Sequence, residues 1–240
     1  MDTPLRWRGH EVSRLEGFSD TVFAFALTLL VVALEVPHNY EKLMELMRGF
    51  PAFACSFALL IWIWSEHNTF FRRFGLQDAY TITLNAVLLF LVLFYVYPLK
   101  FMFDTMFSPF QHGPEHIIRL DAHQFAHTSA IYAAGFVALF LVFTLLYHHA
   151  YANREKLGLS ALEAFDAREG TERQLVSMSV GVVSFLIATM APLRLVMFAP
   201  TAFMLMWPAH WIHGSTSRKR RTALQTQLTS AEPAADTPVI

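Results

Sequence analysis

Charge is scarce in this 240-residue chain: charged residues make up 15% of it, against about 25% in a typical soluble domain. Apolar residues make up 55%, and the mean hydropathy is +0.39. So little charge cannot coat the surface of a soluble enzyme, and such high hydrophobicity excludes a disordered chain. The net charge of -1 leaves no basic footprint, so we expect no nucleic-acid partner.

Cysteine is equally scarce, because Cys55 is the only one. A single cysteine excludes an intrachain disulfide and a cysteine-rich zinc site. The sequence also lacks a phosphate loop, a dinucleotide fingerprint, an HExxH helix and a GxSxG turn. We therefore predict no catalytic residues, no cofactor and no enzyme activity.

Long runs without Asp, Glu, Lys or Arg are what the chain does contain. A bilayer core about 30 Å thick requires about 20 apolar residues per helix, and in hydrocarbon a helix satisfies its own backbone. The runs do not alternate with period two, as the strands of a membrane barrel would. They predict an all-α integral membrane protein in the lipid bilayer, with transmembrane helices at about 17–36, 51–71, 79–99, 125–150, 174–192 and 195–212.

The basic residues orient these helices. With the N-terminus inside, thirteen of the eighteen Lys and Arg residues fall in cytoplasmic segments and five in outer loops. Both termini are therefore predicted to be cytoplasmic. Residues 1–16 form the N-terminus and residues 17–212 the six-helix transmembrane domain. Within that domain, residues 154–173 form a charged inner linker, expected to be helical at residues 161–168. Residues 213–240 form a polar tail expected to be disordered.

Three polar segments lie at the same depth, in the cytoplasmic third of the first three helices. They are residues 19–20, 64–68 and 81–85. Ionisable groups inside a membrane are costly unless they meet partners, so we expect these segments to converge. A structural clasp between helices is the favoured interpretation. A proton relay through Asp20, Glu66 and His67 and a set of unrelated interfacial residues are the alternatives.

The outer part of the first helix has a different pattern. At 100° per residue, Phe25, Thr28, Leu29 and Val32 share one apolar stripe, while Asp20 falls about 140° away from Phe25. Such a stripe faces lipid or core in most helices. It can also form a hydrophobic pore constriction, because pores can gate by dewetting.

Four histidines near the loop after the third helix form two pairs with i, i+4 spacing: His112 with His116, and His123 with His127. On a helix each pair could hold zinc, and solvated histidines are the alternative. We predict no metal site from them.

A sequence motif at the start of the first helix resembles the signature of the transmembrane protein 175 family, potassium channels of lysosomes and many bacteria. The motif is Arg14-x-x-x-Phe18-Ser19-Asp20, and residues 22–32 continue the likeness. Further matches are Trp64, His67 and Asn85. The chain length and six predicted helices are similar to bacterial members, which hold one six-helix unit.

The resemblance implies a homotetramer around a central pore lined by helix one, in a bacterial cell inner membrane. It also implies that Phe25, Leu29 and Val32 constrict the pore and that Thr28 contributes to selectivity. Position 25 is Ile or Leu in most of the family, so Phe25 is a departure. The motif residues and their matches on helices two and three would form an interhelical polar network: Arg14, Phe18, Ser19, Asp20, Trp64, His67 and Asn85.

A tetrameric potassium-permeable channel is therefore the function that we expect, with passive permeation of potassium and other monovalent cations. No TVGYG filter occurs in the sequence. The alternative is a proton-coupled secondary transporter using Asp20, Glu66 and His67. Such transporters favour broken helices and inverted repeats, and Pro200 and Pro208 in the last helix are the sequence feature in their favour.

Overall fold

The structure, a computed structural model, describes residues 12–34, 36–111 and 120–231. Within those residues all regular structure is helical, as predicted. Helices follow in the order α1 (Arg14–Val32), α2 (Tyr40–Arg48), α3 (Phe50–Phe74), α4 (Ala79–Gln111), α5 (Ala122–Ala152), α6 (Ala161–Met190), two short 3₁₀ helices (Leu193–Phe198 and Pro200–Leu205) and α7 (Met206–Ala231).

Five segments of the described chain are long and apolar enough to cross a bilayer. A sixth crossing results if α2 and α3, which meet at an angle of 47°, count as one bent span. The all-α membrane fold is therefore confirmed. The five segments are Arg14–Val32, Ala79–Ser108, Ala122–Ala152, Ala161–Met190 and Arg194–Ser230.

Capping residues set where three of the helices begin. Ser13 Oγ accepts a hydrogen bond from the Glu16 backbone amide, and the Glu16 carboxylate accepts one from the Ser13 amide at 2.7 Å. The same reciprocal box begins α5 at Asp121 and α6 at Ser160. These caps lie ahead of the apolar runs, so α1, α5 and α6 start earlier than the runs alone predicted.

The helical part of the charged inner linker, expected at residues 161–168, is confirmed, but it continues without a break into the next membrane helix. Residues 161–173 are the first turns of α6, and they bring Asp166 against Arg73 of α3 and Arg221 of α7. The sequence did not predict this continuity, because the charges of the segment are paired with residues far away in the sequence. We call the place where Arg73, Asp166 and Arg221 meet the charged end of the bundle.

The last predicted helix is not continuous. Two 3₁₀ helices replace its first half, where Pro192 and Pro200 remove backbone donors that an α-helix would use. Ser184 Oγ of α6 donates a hydrogen bond to the Ala199 carbonyl at 2.7 Å and so supports the irregular backbone. Such support is needed because unpaired backbone groups are costly inside a membrane.

The tail expected to be disordered from residue 213 onward is also a correction. The α7 helix continues to Ala231, and residues 232–240 lie outside the described residues. Ion pairs explain the order: Arg221 Nε lies 3.2 Å from the Asp166 carboxylate, and Arg220 lies 3.5 Å from Glu172. The composition shows that this segment is polar, but it does not show that residues of α6 form ion pairs with it.

The core of the bundle is the close contact between α5 and α6. Gly170 lies directly against the ring of Tyr147, and Gly181 lies against Phe136, so a methyl group at either glycine would overlap an aromatic ring. Helix α5 also packs on α4, whereas α1 packs on α3 and α4. Helix α1 therefore lies at an edge of the bundle, with one side left uncovered.

Candidate pore face and the polar cluster behind it

Helix α1 has two faces of different character. Its buried face consists of Ser19, Phe23, Ala26 and Leu30, which recur at helical spacing and pack toward α3 and α4. The side of the helix opposite to this face is exposed in the single chain. A membrane helix with one apolar side free can face lipid, a neighbouring copy or a pore.

The uncovered side carries three of the four predicted stripe residues. Phe25 is 54% exposed and Val32 is 70% exposed, and Thr28 is exposed beside them. Leu29 differs, because it is partly buried and packs against the core. It lies nearest to the buried face on the helical wheel, about 80° from Ser19. The exposed stripe is therefore narrower than the sequence predicted.

Thr28 presents its oxygen, rather than its proton, to the uncovered side. The Thr28 hydroxyl donates its hydrogen to the Ala24 carbonyl at 2.9 Å, so only acceptor lone pairs remain for an outside group. Thr21 has the same geometry about two helical turns earlier, with its hydroxyl donating to the Gly17 carbonyl at 2.8 Å. Oxygen lone pairs suit a hydrated cation. Sequence reasoning missed Thr21, although the same wheel arithmetic places it on this face.

Behind this face a polar cluster joins α1 to α3 and α4. The indole Nε1 of Trp64 donates a hydrogen bond to Asp20 Oδ1 at 2.8 Å. The Asn85 amide donates to Ser19 Oγ at 2.9 Å, and His67 Nε2 lies 2.8 Å from Asn85 Oδ1. Because an amide oxygen only accepts, His67 Nε2 is the donor in that pair.

The cluster is packed as well as hydrogen-bonded. Ser19, His67 and Asn85 are buried, and the His67 ring contacts Phe23 and Phe71 at centroid distances of 5.5 and 4.5 Å. Ser19 Oγ donates its own proton to the Leu15 carbonyl at 2.8 Å. The chain of donors and acceptors from Leu15 to His67 therefore has one consistent direction and fixes α1 against its neighbours.

Two predicted members of this network lie elsewhere. Phe18 is 61% exposed, and Arg14 is exposed and makes no hydrogen bond with the cluster in the described part of the chain. Both lie on the uncovered side of α1, since Arg14, Phe18, Phe25 and Val32 follow one another at helical spacing. The motif therefore divides between two faces, which its linear pattern could not reveal.

Glu66 also belongs to a different group. Its carboxylate accepts hydrogen bonds from Arg173 at 2.8 Å and from Gln174 at 3.0 Å, both on α6. Neighbouring helix positions point about 100° apart, so Glu66 and His67 face different partners. The structure does not bring Asp20, Glu66 and His67 together as a relay.

The histidine-rich loop is only partly described. His112 and His116 lie outside the described residues, while His123 and His127 are exposed one turn apart on α5. Among the described residues, no group of three or more His, Cys, Asp or Glu side chains is arranged to hold a metal ion.

Comparisons with known proteins match the part of the chain that carries this site. Residues 14–95 match the family model for the endosomal/lysosomal potassium channel TMEM175, and they include α1, α3 and the start of α4. A potassium channel of Marivirga tractuosa is 38% identical over 91% of this chain and 93% of its own length. The chain belongs to the TMEM175 family.

Further TMEM175 relatives agree in sequence and in fold. Potassium channel Cha6605_3372 of Chamaesiphon minutus is 30% identical over 58% of this chain and 66% of its own length. A crystal structure of a variant of the potassium channel MtTMEM175 superposes with a TM-score of 0.79, at 33% identity over 91% of this chain and 99% of that one. A lysosomal potassium-selective TMEM175 homologue from Chamaesiphon minutus gives a TM-score of 0.54, at 25% identity over 83% of this chain and 96% of that one. The matched family and these relatives are named as potassium channels, which are not enzymes.

Proposed function

We propose that four copies of this chain form a passive, potassium-permeable channel in a bacterial inner membrane, with α1 of each copy lining a central pore. The observation that carries the proposal is the uncovered face of α1, on which Phe25, Thr28 and Val32 are exposed while the opposite face is fixed to α3 and α4. Relatives named potassium channels support the choice of ion.

A tetramer follows from the geometry of one pore face per chain. One copy of α1 cannot enclose a pore, but several copies around an axis can. The family resemblance implies that the assembly has four copies. Assembly would also place Phe25 and Val32, which are exposed at the edge of the single bundle, around the shared axis.

The proposed constriction spans Phe25 to Val32. Seven residues at a rise of 1.5 Å make it about 10 Å long. An ion in so apolar a tube would lose hydration without the carbonyl replacement that a TVGYG filter supplies, so conduction requires the tube to dilate and admit water. When water fills the constriction, the Thr28 oxygens of the four copies would form one ring of hydrogen-bond acceptors. Leu29 is half-buried and supports the stripe from behind.

We assign the polar cluster a supporting role. Ser19, His67 and Asn85 are buried behind α1 and bond to one another, so they hold the pore helix instead of touching the ion. The transporter alternative is weaker. It needs Glu66 to pass protons between Asp20 and His67, but the Glu66 carboxylate bonds to Arg173 and Gln174 on α6.

A bilayer recording tests this function. The purified full-length protein is reconstituted in a planar bilayer with potassium on one side and sodium on the other. We expect a current without any coupled counter-ion, reversing at a voltage that favours potassium. Flux that requires a proton gradient would instead favour the transporter, and crosslinking that yields only monomers would contradict the central pore.

A further inference from the structure

One surface outside the pore and its supporting cluster combines a cavity with unneutralised positive charge. At the charged end of the bundle, α6 and α7 border a surface cavity of about 360 Å³. Its lining includes Trp211, Gly214 and Arg218 of α7 and Asp166 of α6. A methyl group at Gly214 would meet nothing within 4 Å, so this side of α7 leaves room for a ligand.

The lining residues of α7 form one continuous stripe. Trp207, Trp211, Gly214, Arg218 and Arg221 all fall within about 40° of one direction on the helical wheel. The stripe changes character along its length, from two tryptophans that are 84% and 67% exposed to two arginines. Exposed indoles are typical of the membrane interface, and arginines of the aqueous side beyond it.

The charge balance of the cavity favours an anion. Two carboxylates line the cavity. Asp166 is buried and already bonded to Arg73 and Arg221, and Glu169 lies 3.4 Å from His213, which balances its charge only when the histidine is protonated. Arg218 makes no ion pair within the described residues. It begins the sequence Arg218-Lys219-Arg220-Arg221, so the local surplus of charge is positive. A phosphate group could accept charge-assisted hydrogen bonds from the Arg218 guanidinium.

The dimensions of the stripe fit one lipid molecule. Eleven residues separate Trp207 from Arg218, which is about 16 Å along the helix and close to half of a hydrocarbon core about 30 Å thick. Met204 and Leu205, just before α7, are exposed and extend the apolar end. An acyl chain can lie along this end while the headgroup occupies the cavity.

We propose that the stripe from Trp207 to Arg218 is a binding site for an anionic phospholipid of the leaflet at the charged end of the bundle. The phosphate pairs with Arg218, the glycerol backbone lies over Gly214, and an acyl chain packs on Trp211 and Trp207. Because α7 is tied to α6 and α3 through Asp166, the lipid stabilises the docked position of α7.

Lipid retention tests the site. The full-length protein is reconstituted in nanodiscs of phosphatidylcholine containing a minor fraction of phosphatidylglycerol, and phosphatidylglycerol retained per chain is measured by native mass spectrometry. Arg218→Gln should lower retention about fivefold, which corresponds to about 1 kcal/mol for one basic residue near an anionic headgroup. Arg194→Gln, the same charge change on an exposed residue before α7, should retain as much as wild type.

Two further variants distinguish a bound lipid from a free anion. Arg218→Lys should restore most of the retention, since a point charge still pairs with phosphate. Trp211→Ala should reduce retention without changing the charge. Equal losses in the Arg194 and Arg218 variants, or none in either, would overturn the proposal by indicating general surface attraction. Full displacement of the lipid by excess inorganic phosphate, or unchanged retention in Trp211→Ala, would also overturn it, in favour of a free-anion site.

Discussion

Trp64 Nε1 and Asp20 Oδ1 lie 2.8 Å apart, and this hydrogen bond joins the middle of α3 to the base of α1. The two residues are 44 positions apart in the sequence. Together with Ser19 and Asn85 they set how α1 is held against the bundle, and therefore which of its faces stays uncovered. The mechanical support of the proposed pore and its ion-facing surface thus lie on opposite sides of one helix.

Asp20→Asn should weaken this support rather than change ion preference. It removes the charge from a hydrogen bond of about 1 kcal/mol, so the thermal unfolding midpoint of the purified channel should fall while bi-ionic reversal potentials stay constant. Trp64→Phe should have a similar effect, and the double variant should be less than additive. Thr189→Val on α6 is the control, because Thr189 is exposed and its hydroxyl bonds to the Phe185 carbonyl of its own helix. A normal midpoint with an altered reversal potential would place Asp20 in the pore.

Asn85→Leu should be more harmful, because Asn85 is buried and serves both Ser19 and His67. Leaving a buried donor or acceptor without its partner costs about 1–3 kcal/mol. We expect lower thermal stability and reduced recovery of assembled protein on size exclusion. Thr83→Val on the same helix is the control, since Thr83 is exposed and its hydroxyl bonds to the Ala79 carbonyl. Equal stability of both variants would remove the supporting role from the cluster.

Phe25→Ala should raise conductance and weaken discrimination between potassium and sodium, because it removes the largest side chain of the exposed stripe. Thr28→Val should also weaken discrimination, since it deletes the oxygen that Thr28 presents. Reversal potentials under bi-ionic conditions measure both effects. Val31→Ala is the matched control: Val31 is 50% exposed but lies off the stripe. If the three variants behave alike, the selective element is not on this face of α1.

Gly170→Ala should destabilise the fold, because the added methyl group would overlap the ring of the buried Tyr147. Overpacking of this kind costs about 1–3 kcal/mol. Gly214→Ala is the control, as its methyl group would meet nothing within 4 Å and alanine favours a helix. Thermal unfolding in detergent should show a lower midpoint for the first variant and no loss for the second. Similar midpoints would mean that α5 and α6 pack less closely than the structure shows.

Acid should release a contact between the start of α4 and the end of α5. Asp78 lies 2.6 Å from His149 Nε2. Burial raises the pKa of Asp78, but hydrogen bonds from Thr81 and His149 outweigh this effect and hold it below the ordinary value of 3.8. A lowered folded-state pKa contributes stability above the ordinary pKa, and the contribution is lost as the pH falls through the folded value.

Comparing unfolding midpoints at about pH 5 and about pH 3 tests this contact. Wild type should lose more stability over this range than Asp78→Asn, which has no carboxylate to protonate. An identical loss in both proteins would exclude a contribution from Asp78.

Much of the membrane architecture was determined by the sequence alone. Charge-free runs of about 20 residues are long enough to span a bilayer as helices. Helices are favoured because a lipid-exposed backbone must bond to itself. The sequence alone also determined that α1 has two different faces. A helix rotates by a fixed angle per residue, so Phe25 and Asp20 point in different directions whatever surrounds the helix. The motif around Ser19 and Asp20 also located the part of the chain that meets α3 and α4.

Only the tertiary structure decided which residues pair. Arg14 and Phe18 belong to the motif but lie on the uncovered side of α1, and Glu66 bonds to α6 although its neighbour His67 faces α1 and α4. The order of α7 beyond residue 213 depends on Asp166, which is 55 positions from Arg221 in the sequence. Local patterns fix the direction of a side chain on its own helix. Its partner is fixed by how distant helices pack, because the free energy of a buried polar group depends on what meets it there.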